Sequence, residues 1–403
     1  MVYQRNRKPY DICHRISQQL YRSRDTENTM KIERIIAQIL RLPQVDAKTA
    51  GTQDTLLVRV CTDTGLEGIG EVDSSPEVAK AVIDAPFSHN IACGLRQLLI
   101  GENPLDTQRL WDKMYEGSMY FGRRGVTITA MAGVDMALWD LKGKHFGVPV
   151  HQLLGGKRHD RIRAYASILF GRDGTETAEI GQRWTEAGYT AVKFGWEPMG
   201  TSEAVDLDLV EGARRGCGDR EVLVDAGCVW DARTALRRAH QFADFDVGWL
   251  EEPLSQDDLE GYVWLRNRSP LPIAAGEAEC GRWGYEPWIQ RGALDIYQID
   301  LARNGFTDAQ FILRQVEDHG CRVVNHCYKT PISVAACLNW LSTARSAFLF
   351  EDCVDDSPLR HDLAEERIQA EPDGLINVPD RPGLGVTLNE QCVKDLLVAE
   401  SGV

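Results

Sequence analysis

The chain has no apolar run of the roughly 18 to 20 residues that a membrane-spanning helix requires. It also has no excess of positive charge, because its formal net charge is −15. Nucleic-acid binding needs clustered lysine and arginine, so this charge argues against such a partner. The first residues contain no apolar core of a secretion signal. We therefore expect a cytoplasmic protein that acts on a small molecule.

The Cys-x-x-Cys motif is also missing, although the chain contains 11 cysteines. Scattered cysteines of odd number in a long chain without a secretion signal indicate reduced, mostly buried thiols. Cys228, Cys280, Cys327 and Cys353 lie close in sequence to the candidate site residues described below. We expect these four to be packing residues, because no activating partner is evident beside them.

The chain is long, with 403 residues of which 43% are hydrophobic, so it can bury a large core in two or three domains. Residues 1–29 are basic and polar without sustained periodicity, and we expect a loosely packed, dispensable extension. Residues 30–156 begin with alternating strand patterns, KIERIIAQIL and TLLVRVCTD, and continue into helical ones. The longest helical pattern, VTITAMAGVDMALWDLKGKHFG, ends at a glycine cap. This order predicts a separate α+β domain.

Residues 157–360 alternate between short apolar segments and amphipathic helical segments. The eight apolar segments are RAYASILF, TAVKFGW, VLVDAG, VGWLEEP, IAAGE, IYQID, RVVNH and FLFED. Such alternation predicts a parallel α/β sheet, and eight repeats predict a barrel. We expect the turn-rich residues 361–403 to return to the N-terminal domain.

Three successive segments end in a carboxylate, at Asp225, Glu251 and Glu277, and these residues lie 26 positions apart. One strand, one helix and two short loops need about 25 to 30 residues, so each interval fits one βα unit. The carboxyl ends of barrel strands meet on one rim. Three carboxylates converging there would suit a hard divalent cation, most plausibly Mg²⁺.

Four more segments end in ionisable residues, namely Lys193, Asp300, His326 and Glu351. A single Asp at a strand end usually caps the next helix, and a single His is usually a satisfied core residue. Seven consecutive strand ends with ionisable groups are too costly to bury without a cation and a substrate. Asp300 beside His326 would fix the imidazole tautomer and make the histidine a competent general base.

The order Lys, Asp, Glu, Glu, Asp, His, Glu on successive strand ends resembles the enolase superfamily, in its mandelate racemase subgroup. The supporting motifs are MALWDLKGKHFGVPVHQLLGG, WLEEP, AAGE, QIDLARNGF, VVNHCYKTPIS and VPDRPGLGV. The resemblance covers residues 30–388. It implies a modified TIM barrel of the (β/α)7β type, residues 157–360, with residues 30–156 as an α+β capping domain.

By this resemblance, Asp225, Glu251 and Glu277 would bind Mg²⁺, and Asp300 with His326 would form the base dyad. An enolised substrate carboxylate stabilised by Mg²⁺, with Lys or His as the base, is the known pattern of this superfamily. The resemblance also implies that Lys193 and Glu351 take part in catalysis and bind the substrate. Trp196 and Asn325 would bind the substrate as well. Loops near residues 44–52 and 71–75 would cover the substrate and set its specificity. Glu252 should point away from the site because strand side chains alternate.

Two departures from the subgroup pattern carry information. The usual Lys-x-Lys of the second strand reads Lys193-Phe194-Gly195, and the usual Asp-x-Asn of the third reads Asp225-Ala226-Gly227. Racemisation through a planar enolate usually needs a base on each face of the substrate. Because Gly195 replaces the second lysine, the sequence favours elimination with one base.

We therefore predict a Mg²⁺-dependent acid-sugar dehydratase, which is a carbon–oxygen lyase that forms 2-keto-3-deoxy acids. We expect it to be a homo-oligomer. The alternatives are a racemase or epimerase of 2-hydroxy acids and a cycloisomerase. A non-catalytic protein of the same fold would have no need to keep the ligands and the dyad. A metal-dependent hydrolase barrel usually has His-x-His on its first strand, and RAYASILF has no histidine.

Overall fold

The computed structural model describes residues 30–47 and 52–402, so the predicted N-terminal extension lies outside the described residues. In chain order the strands are β1 Ile32–Arg41, β2 Asp54–Thr62, β3 Glu67–Val72, β4 Arg161–Leu169, β5 Ala191–Gly195, β6 Glu221–Asp225, β7 Val247–Glu251, β8 Ile273–Ala275, β9 Ile296–Asp300, β10 Arg322–His326, β11 Phe350–Cys353, β12 Leu375–Asn377 and β13 Leu397–Ser401. They form two sheets, one antiparallel and one parallel.

Helices lie against both sheets. In chain order they are α1 Pro76–Asp84, α2 Leu95–Leu99, α3 Thr107–Gly117, α4 Val126–Phe146, α5 Val150–Leu153, α6 Gly174–Glu186, α7 Glu203–Cys217, α8 Ala232–Ala243, α9 Leu259–Arg266, α10 Arg282–Arg291, α11 Leu301–Asp318, α12 Pro331–Leu341, α13 Pro358–His361 and α14 Glu390–Leu396. Among residues 30–47 and 52–402, no helix is both long and apolar enough to span a bilayer.

The antiparallel sheet has the order β13–β1–β2–β3. Its C-terminal strand pairs with β1, where Ala37 lies opposite Ser401. The long helix α4 covers this sheet and ends at Gly147, which adopts the left-handed conformation (φ 68°) that a helix C-cap favours. Glycines in β3 allow the close approach of α4: a Cβ on Gly70 would lie 2.1 Å from the carbonyl oxygen of Gly133.

The parallel sheet contains eight strands in the order β11–β4–β5–β6–β7–β8–β9–β10, and β12 joins it by pairing antiparallel with β4. The eight strands coincide with the eight predicted apolar segments, which confirms the predicted fold class. The first and last strands of this order meet through the side chain of Asn325 in β10. Its Oδ1 accepts from the backbone N–H of Glu351 at 3.0 Å, and its Nδ2 donates to the Glu351 carbonyl at 3.3 Å.

A layer of apolar side chains fills the barrel below the carboxyl ends of its strands. It consists of Tyr165, Ala191, Leu223, Trp249, Ala274, Ile296, Val324 and Leu349, so every strand segment supplies one member. Such layers make a packed core rather than a channel. The candidate site lies directly above this layer.

Helix α11 begins directly after β9 and is kinked at Gly305, where φ is 66°. A Cβ at Gly305 would lie 2.6 Å from Oδ2 of Asp135 in α4, so the glycine permits close contact between the capping and barrel helices. Asp135 also accepts from the backbone N–H of Thr307 at 2.9 Å. The kink therefore lies at a tightly packed contact between α11 and α4.

Candidate active site

The polar strand-end residues lie one pleat beyond the apolar layer. Lys193, Asp225, Glu251, His326 and Glu351 each follow a member of that layer by two positions in the same strand segment. Side chains two residues apart in a strand point to the same face. The alternation of side chains along each strand therefore places all five side chains at the same end of the barrel interior.

A cavity of about 280 Å³ opens above these residues. Its lining residues are Asp73, Ser167, Ile168, Leu169, Lys193, Gly195, Trp196, Asp225, Gln256, Glu277, Arg303, His326, Tyr328 and Glu351. Of the seven predicted strand-end residues, five line the cavity. The other two, Glu251 and Asp300, lie behind it and contact Lys193 and His326, respectively.

Lys193 is the cation closest to the predicted metal ligands. Its Nζ lies 2.5 Å from Oε1 of Glu251 and 2.7 Å from Oε1 of Glu351. Burial alone would lower the pKa of Lys193, but the two carboxylates outweigh it and raise this pKa well above its usual value. Lys193 is thus engaged by carboxylates on two sides.

The carboxylates of Asp225 and Glu251 are almost completely buried, and burial raises the pKa of both above its usual value. The neighbouring Glu277 raises both pKa values further by charge repulsion, against the opposing effect of Lys193. Converging carboxylates that repel one another are the donor set that a hard divalent cation neutralises. These residues therefore fit a site for Mg²⁺.

A more compact acidic group lies beside the predicted one. Within residues 30–47 and 52–402, Asp73, Asp300 and His326 are the group whose potential ligand atoms all lie within 4.8 Å of one another. Asp73 is already paired with cations, because its carboxylate lies 2.8 Å from Nε of Arg303 and 3.4 Å from Nζ of Lys329. We assign this group to an ion-pair network. The predicted trio of Asp225, Glu251 and Glu277 does not meet this distance in the described part of the chain. The two oxygens of Glu251 accept hydrogen bonds from Lys193 and from the indole N–H of Trp249.

His326 is positioned by Asp300 and faces Glu277. Its Nδ1 lies 2.6 Å from Oδ2 of Asp300, and its Nε2 lies 3.6 Å from Oε2 of Glu277. Burial would lower the pKa of His326, but Glu277, Asp300 and Glu351 outweigh it and raise this pKa well above the usual value. Nδ1 of the imidazole is therefore held by Asp300, while Nε2 lies on the side of Glu277, which lines the cavity.

Glu351 is surrounded by donors. It accepts from Oγ of Ser167 at 2.8 Å and from the backbone N–H of Cys327 at 2.6 Å, in addition to its contact with Lys193. Burial raises the pKa of Glu351, yet Lys193 and His326 more than offset this and lower it below the usual value. The carboxylate is thus ionised and acts as an acceptor.

The capping sheet contributes Asp73, from the loop that follows β3. This residue lies in the 71–75 loop predicted to cover the substrate, and it lines the cavity. Burial would raise its pKa, but Arg303 and Lys329 outweigh burial and lower the pKa. Residues 48–51 of the other predicted loop lie outside the described residues. Thr52, at the edge of that loop, donates its hydroxyl to Asp355 at 2.6 Å.

The two residues predicted only as substrate contacts have different positions. Trp196 lines the cavity, whereas Asn325 is fully buried and binds the backbone of Glu351. Asn325 lies between Val324 and His326, which face the barrel interior, so alternation turns its side chain towards the neighbouring strand. Its role in substrate binding stays a prediction. Glu252 does not line the cavity either and contacts Cys228 and Gln256.

Several lining residues were not predicted. Arg303 lies three positions after Asp300, and its guanidinium reaches Asp73 and the Glu277 carbonyl. Tyr328 follows His326 by two positions, and Ser167 follows the apolar-layer residue Tyr165 by two. Ser167 could have been found by extending the strand alternation, but Arg303 and Tyr328 lie in loops or helix starts where no period applies.

Two protein-family models together match most of the chain. The family model described as mandelate racemase / muconate lactonizing enzyme, N-terminal domain, matches residues 32–155, and the one described as enolase C-terminal domain-like matches residues 176–392. The chain therefore belongs to the mandelate racemase / muconate lactonizing enzyme family of the enolase superfamily, which confirms the resemblance noted in its sequence.

Relatives of known name fall in the same superfamily. D-galactarolactone cycloisomerase of Agrobacterium fabrum is 31% identical over 359 residues, which cover 84% of this chain and 90% of the relative. D-galactonate dehydratase of Pectobacterium atrosepticum is 31% identical over 353 residues with the same coverage. The crystal structure of 3,6-anhydro-D-galactonate cycloisomerase from Zobellia galactanivorans superimposes with a TM-score of 0.83 at 27% identity, covering 92% of this chain and all of that one. The predicted enzyme class, a carbon–oxygen lyase, agrees with these names.

Proposed function

We propose that the protein is a Mg²⁺-dependent acid-sugar dehydratase that uses His326 as its single proton-transfer residue. The observation that carries this proposal is the arrangement of the two basic side chains on the cavity wall. Asp300 holds Nδ1 of His326 and leaves Nε2 on the side of Glu277 and the cavity, whereas Lys193 is bound between two carboxylates. A family relative named D-galactonate dehydratase supports the same reaction class.

The substrate carboxylate is proposed to bind beside Asp225, Glu251 and Glu277, with Lys193 donating to it. When bound there, Mg²⁺ would neutralise the substrate carboxylate and the charge that develops on it. Lys193 adds a second, fixed positive charge at the same place. Glu351 would hold Lys193 in this position.

His326 would remove the α-proton through Nε2, while Asp300 holds Nδ1 and stabilises the resulting imidazolium. The electron pair of the broken C–H bond then forms a double bond to the β-carbon, and the bond from this carbon to its hydroxyl breaks. The same imidazolium would protonate the leaving hydroxyl, which departs as water. The remaining enol tautomerises to a 2-keto-3-deoxy acid. One residue can serve both steps because proton removal and return occur on one face of the substrate.

A racemase is the weaker candidate. It needs a second base on the opposite face, and the position of the usual second lysine is Gly195. A Cβ at Gly195 would lie 3.1 Å from Oδ2 of Asp225, so a longer side chain there would press on a proposed metal ligand. A cycloisomerase stays the nearest alternative, because it shares the α-proton removal and differs only in the group that leaves.

Two expectations from the sequence accompany this proposal. We propose a cytoplasmic location, in support of which all ten cysteines within the described ranges are free thiols. We also propose that the protein is a homo-oligomer. We also propose that residues 30–156 form the capping domain and residues 157–360 the barrel, with 361–403 returning to the cap.

The proposal is tested by incubating the purified protein and Mg²⁺ with a panel of aldonic and aldaric acids and measuring 2-keto acid formation. We expect at least one acid to give a keto product, excess chelator to abolish the reaction, and added Mg²⁺ to restore it. Product formation that persists in excess chelator would contradict the metal dependence. The absence of keto product from every acid would contradict the reaction.

A further inference from the structure

We propose that an apolar patch on two loops, one between α1 and α2 and one between α3 and α4, docks onto a second copy of this chain. The patch, called here the loop patch, consists of Phe87, Ile91, Met119, Tyr120 and Phe121. This inference concerns the assembly of the chain and does not depend on the proposed reaction. It gives the proposed homo-oligomer a specific surface and a specific pairing of residues.

The loop patch is a concentration of exposed apolar side chains. Its five residues are between 37% and 74% exposed, and Tyr120 is the most exposed of them. Among residues 30–47 and 52–402, twelve large hydrophobic residues are exposed, and five of the twelve belong to these two loops. Single exposed apolar side chains are ordinary on a protein surface, whereas a contiguous group of them marks an interaction site.

Backbone and ring contacts join the two loops into one surface. The N–H of Tyr120 donates to the Ile91 carbonyl at 2.9 Å, and the rings of Tyr120 and His89 meet edge to face with their centroids 5.1 Å apart. The second loop is also held at its far end, where the N–H of Gly125 donates to Sγ of Cys280 at 3.0 Å. Because the loops are already fixed, docking on them requires little additional ordering.

The size of the loop patch suits the centre of a protein interface. Side chains of this kind have roughly 200 Å² of surface each, so at these exposures the five leave on the order of 500 Å² of apolar surface in solvent. A stable dimer needs about 800 Å² from each partner, arranged as an apolar centre with a polar rim. The loop patch supplies most of this area, and the polar residues around it must supply the rest.

The local charge favours a second copy of the chain as the occupant. The chain has a formal net charge of −15, yet residues 86–91 and 117–125 contain no aspartate and no glutamate. Two copies of so acidic a chain repel each other, and this repulsion is weakest where carboxylates are missing. The loops are therefore a surface at which two copies can approach.

The residues around the loop patch carry unpaired charges of both signs. Arg123 and Arg124 are exposed within the second loop, and Asp112 and Glu116 are exposed near the end of α3, which leads into this loop. None of these four forms an ion pair within the described ranges, since the basic residues of α3 pair with Glu102 instead. In a two-fold symmetric dimer each contact occurs twice, with the roles of the two copies exchanged. The arginines of each copy would then face the carboxylates of the other.

Sedimentation velocity of the full chain tests the surface. We expect the unmodified protein to form a dimer or a larger assembly. Tyr120→Asp should weaken the association by about thirtyfold or more, as expected for an aromatic residue at the centre of an interface, and should give a smaller species. Because Tyr120 is 74% exposed, the melting temperature should not change. Phe146→Asp is the matched control: Phe146 is 55% exposed at the other end of α4, about 30 Å along the helix, and this variant should keep the assembly.

A charge exchange tests the reciprocal pairing. One variant combines Arg123→Glu with Arg124→Glu, and the other combines Asp112→Arg with Glu116→Arg. Each variant alone should dissociate, because like charges then meet around the patch. An equimolar mixture of the two should assemble again, because opposite charges meet in every contact between them. A monomeric unmodified protein, an assembly that Tyr120→Asp leaves intact, or a mixture that stays dissociated would overturn the inference.

Discussion

Oδ2 of Asp300 lies 2.6 Å from Nδ1 of His326, while Oδ1 of the same carboxylate accepts from the N–H groups of Ala302 and Arg303. One oxygen thus caps helix α11, and the other orients the imidazole. The structural role of an aspartate at a strand end and its role in a catalytic dyad coexist here, because each uses a different oxygen.

Asp300→Asn should keep the helix cap and lose the dyad. Asparagine is as good an N-cap as aspartate, so the melting temperature should change little. Its amide NH₂ would face Nδ1 of His326 and force the proton onto Nε2, which must be empty to accept the α-proton. We expect kcat to fall by about 10² to 10⁴, the usual range of general base catalysis. Steady-state kinetics and thermal unfolding measure both effects.

The control for this change is Asp173→Asn, which alters another aspartate N-cap outside the site. It should leave kcat unchanged. The double variant Asp300→Asn with His326→Asn should be no slower than His326→Asn alone, because residues that act as a unit are not additive. Additive losses would show that Asp300 acts independently of His326.

The pair Asp73 and Arg303 connects the capping sheet to the barrel at the edge of the cavity. Arg303→Gln removes the partner of Asp73 and a cation from the lining. We expect KM to rise about tenfold, equivalent to about 1.4 kcal/mol of binding, with kcat changed far less. Arg291→Gln, in an exposed pair with Glu260, is the control and should be neutral. A fall in kcat with unchanged KM would place Arg303 in the chemistry instead.

Arg360 and Asp352 form a buried ion pair outside the cavity. Their atoms lie 2.6 Å apart, and the two side chains are 3% and 2% exposed. Arg360→Met should leave Asp352 buried without its cation, which costs about 3 to 5 kcal/mol of unfolding free energy. Denaturant unfolding measures this loss. Arg345→Met, at a side chain 65% exposed, should change stability little, and an equal effect of both variants would contradict the assignment.

Asp135 in α4 should make stability depend on pH. Burial raises the pKa of its carboxyl to about 7 from an ordinary value of 3.8. Between these values the folded protein holds a proton that the unfolded chain releases, so raising the pH from about 4 to about 7 destabilises the fold. In Asp135→Asn, the melting temperature should fall less steeply over this range than in the unmodified protein. Asp160→Asn, at an exposed carboxylate, should keep the original slope.

The sequence predicted the barrel and its polar rim because both depend on local periods. Apolar runs marked all eight strands, and equal intervals placed Asp225 and Glu251 at the ends of successive strands and Glu277 two residues beyond the end of the next. The same alternation turns the side chain of Asn325 towards the neighbouring strand, because Val324 and His326 on either side of it face the interior. The end of helix α4 at Gly147 was predicted too, since a glycine stop is a local signal.

Contacts between distant parts of the chain could not be predicted in this way. Asp73 and Arg303 are 230 residues apart, and no period connects a loop of the capping sheet to a barrel helix. The placement of Trp196 depends on its own left-handed backbone and on the missing side chain of Gly227, which propensity arguments do not reveal. The charges around Lys193 likewise depend on contacts across the barrel, because Glu251 and Glu351 hold it from two sides.

The most direct test of the central claim follows the α-hydrogen of a turned-over acid in deuterated water by proton NMR. With Mg²⁺ and the unmodified enzyme, we predict a 2-keto-3-deoxy product carrying deuterium at C3, and recovered acid with its original configuration at C2. His326→Asn should give neither product nor exchange at C2. Recovered acid that exchanges and inverts at C2 without keto product, or exchange that persists in His326→Asn, would contradict a single-base elimination by His326.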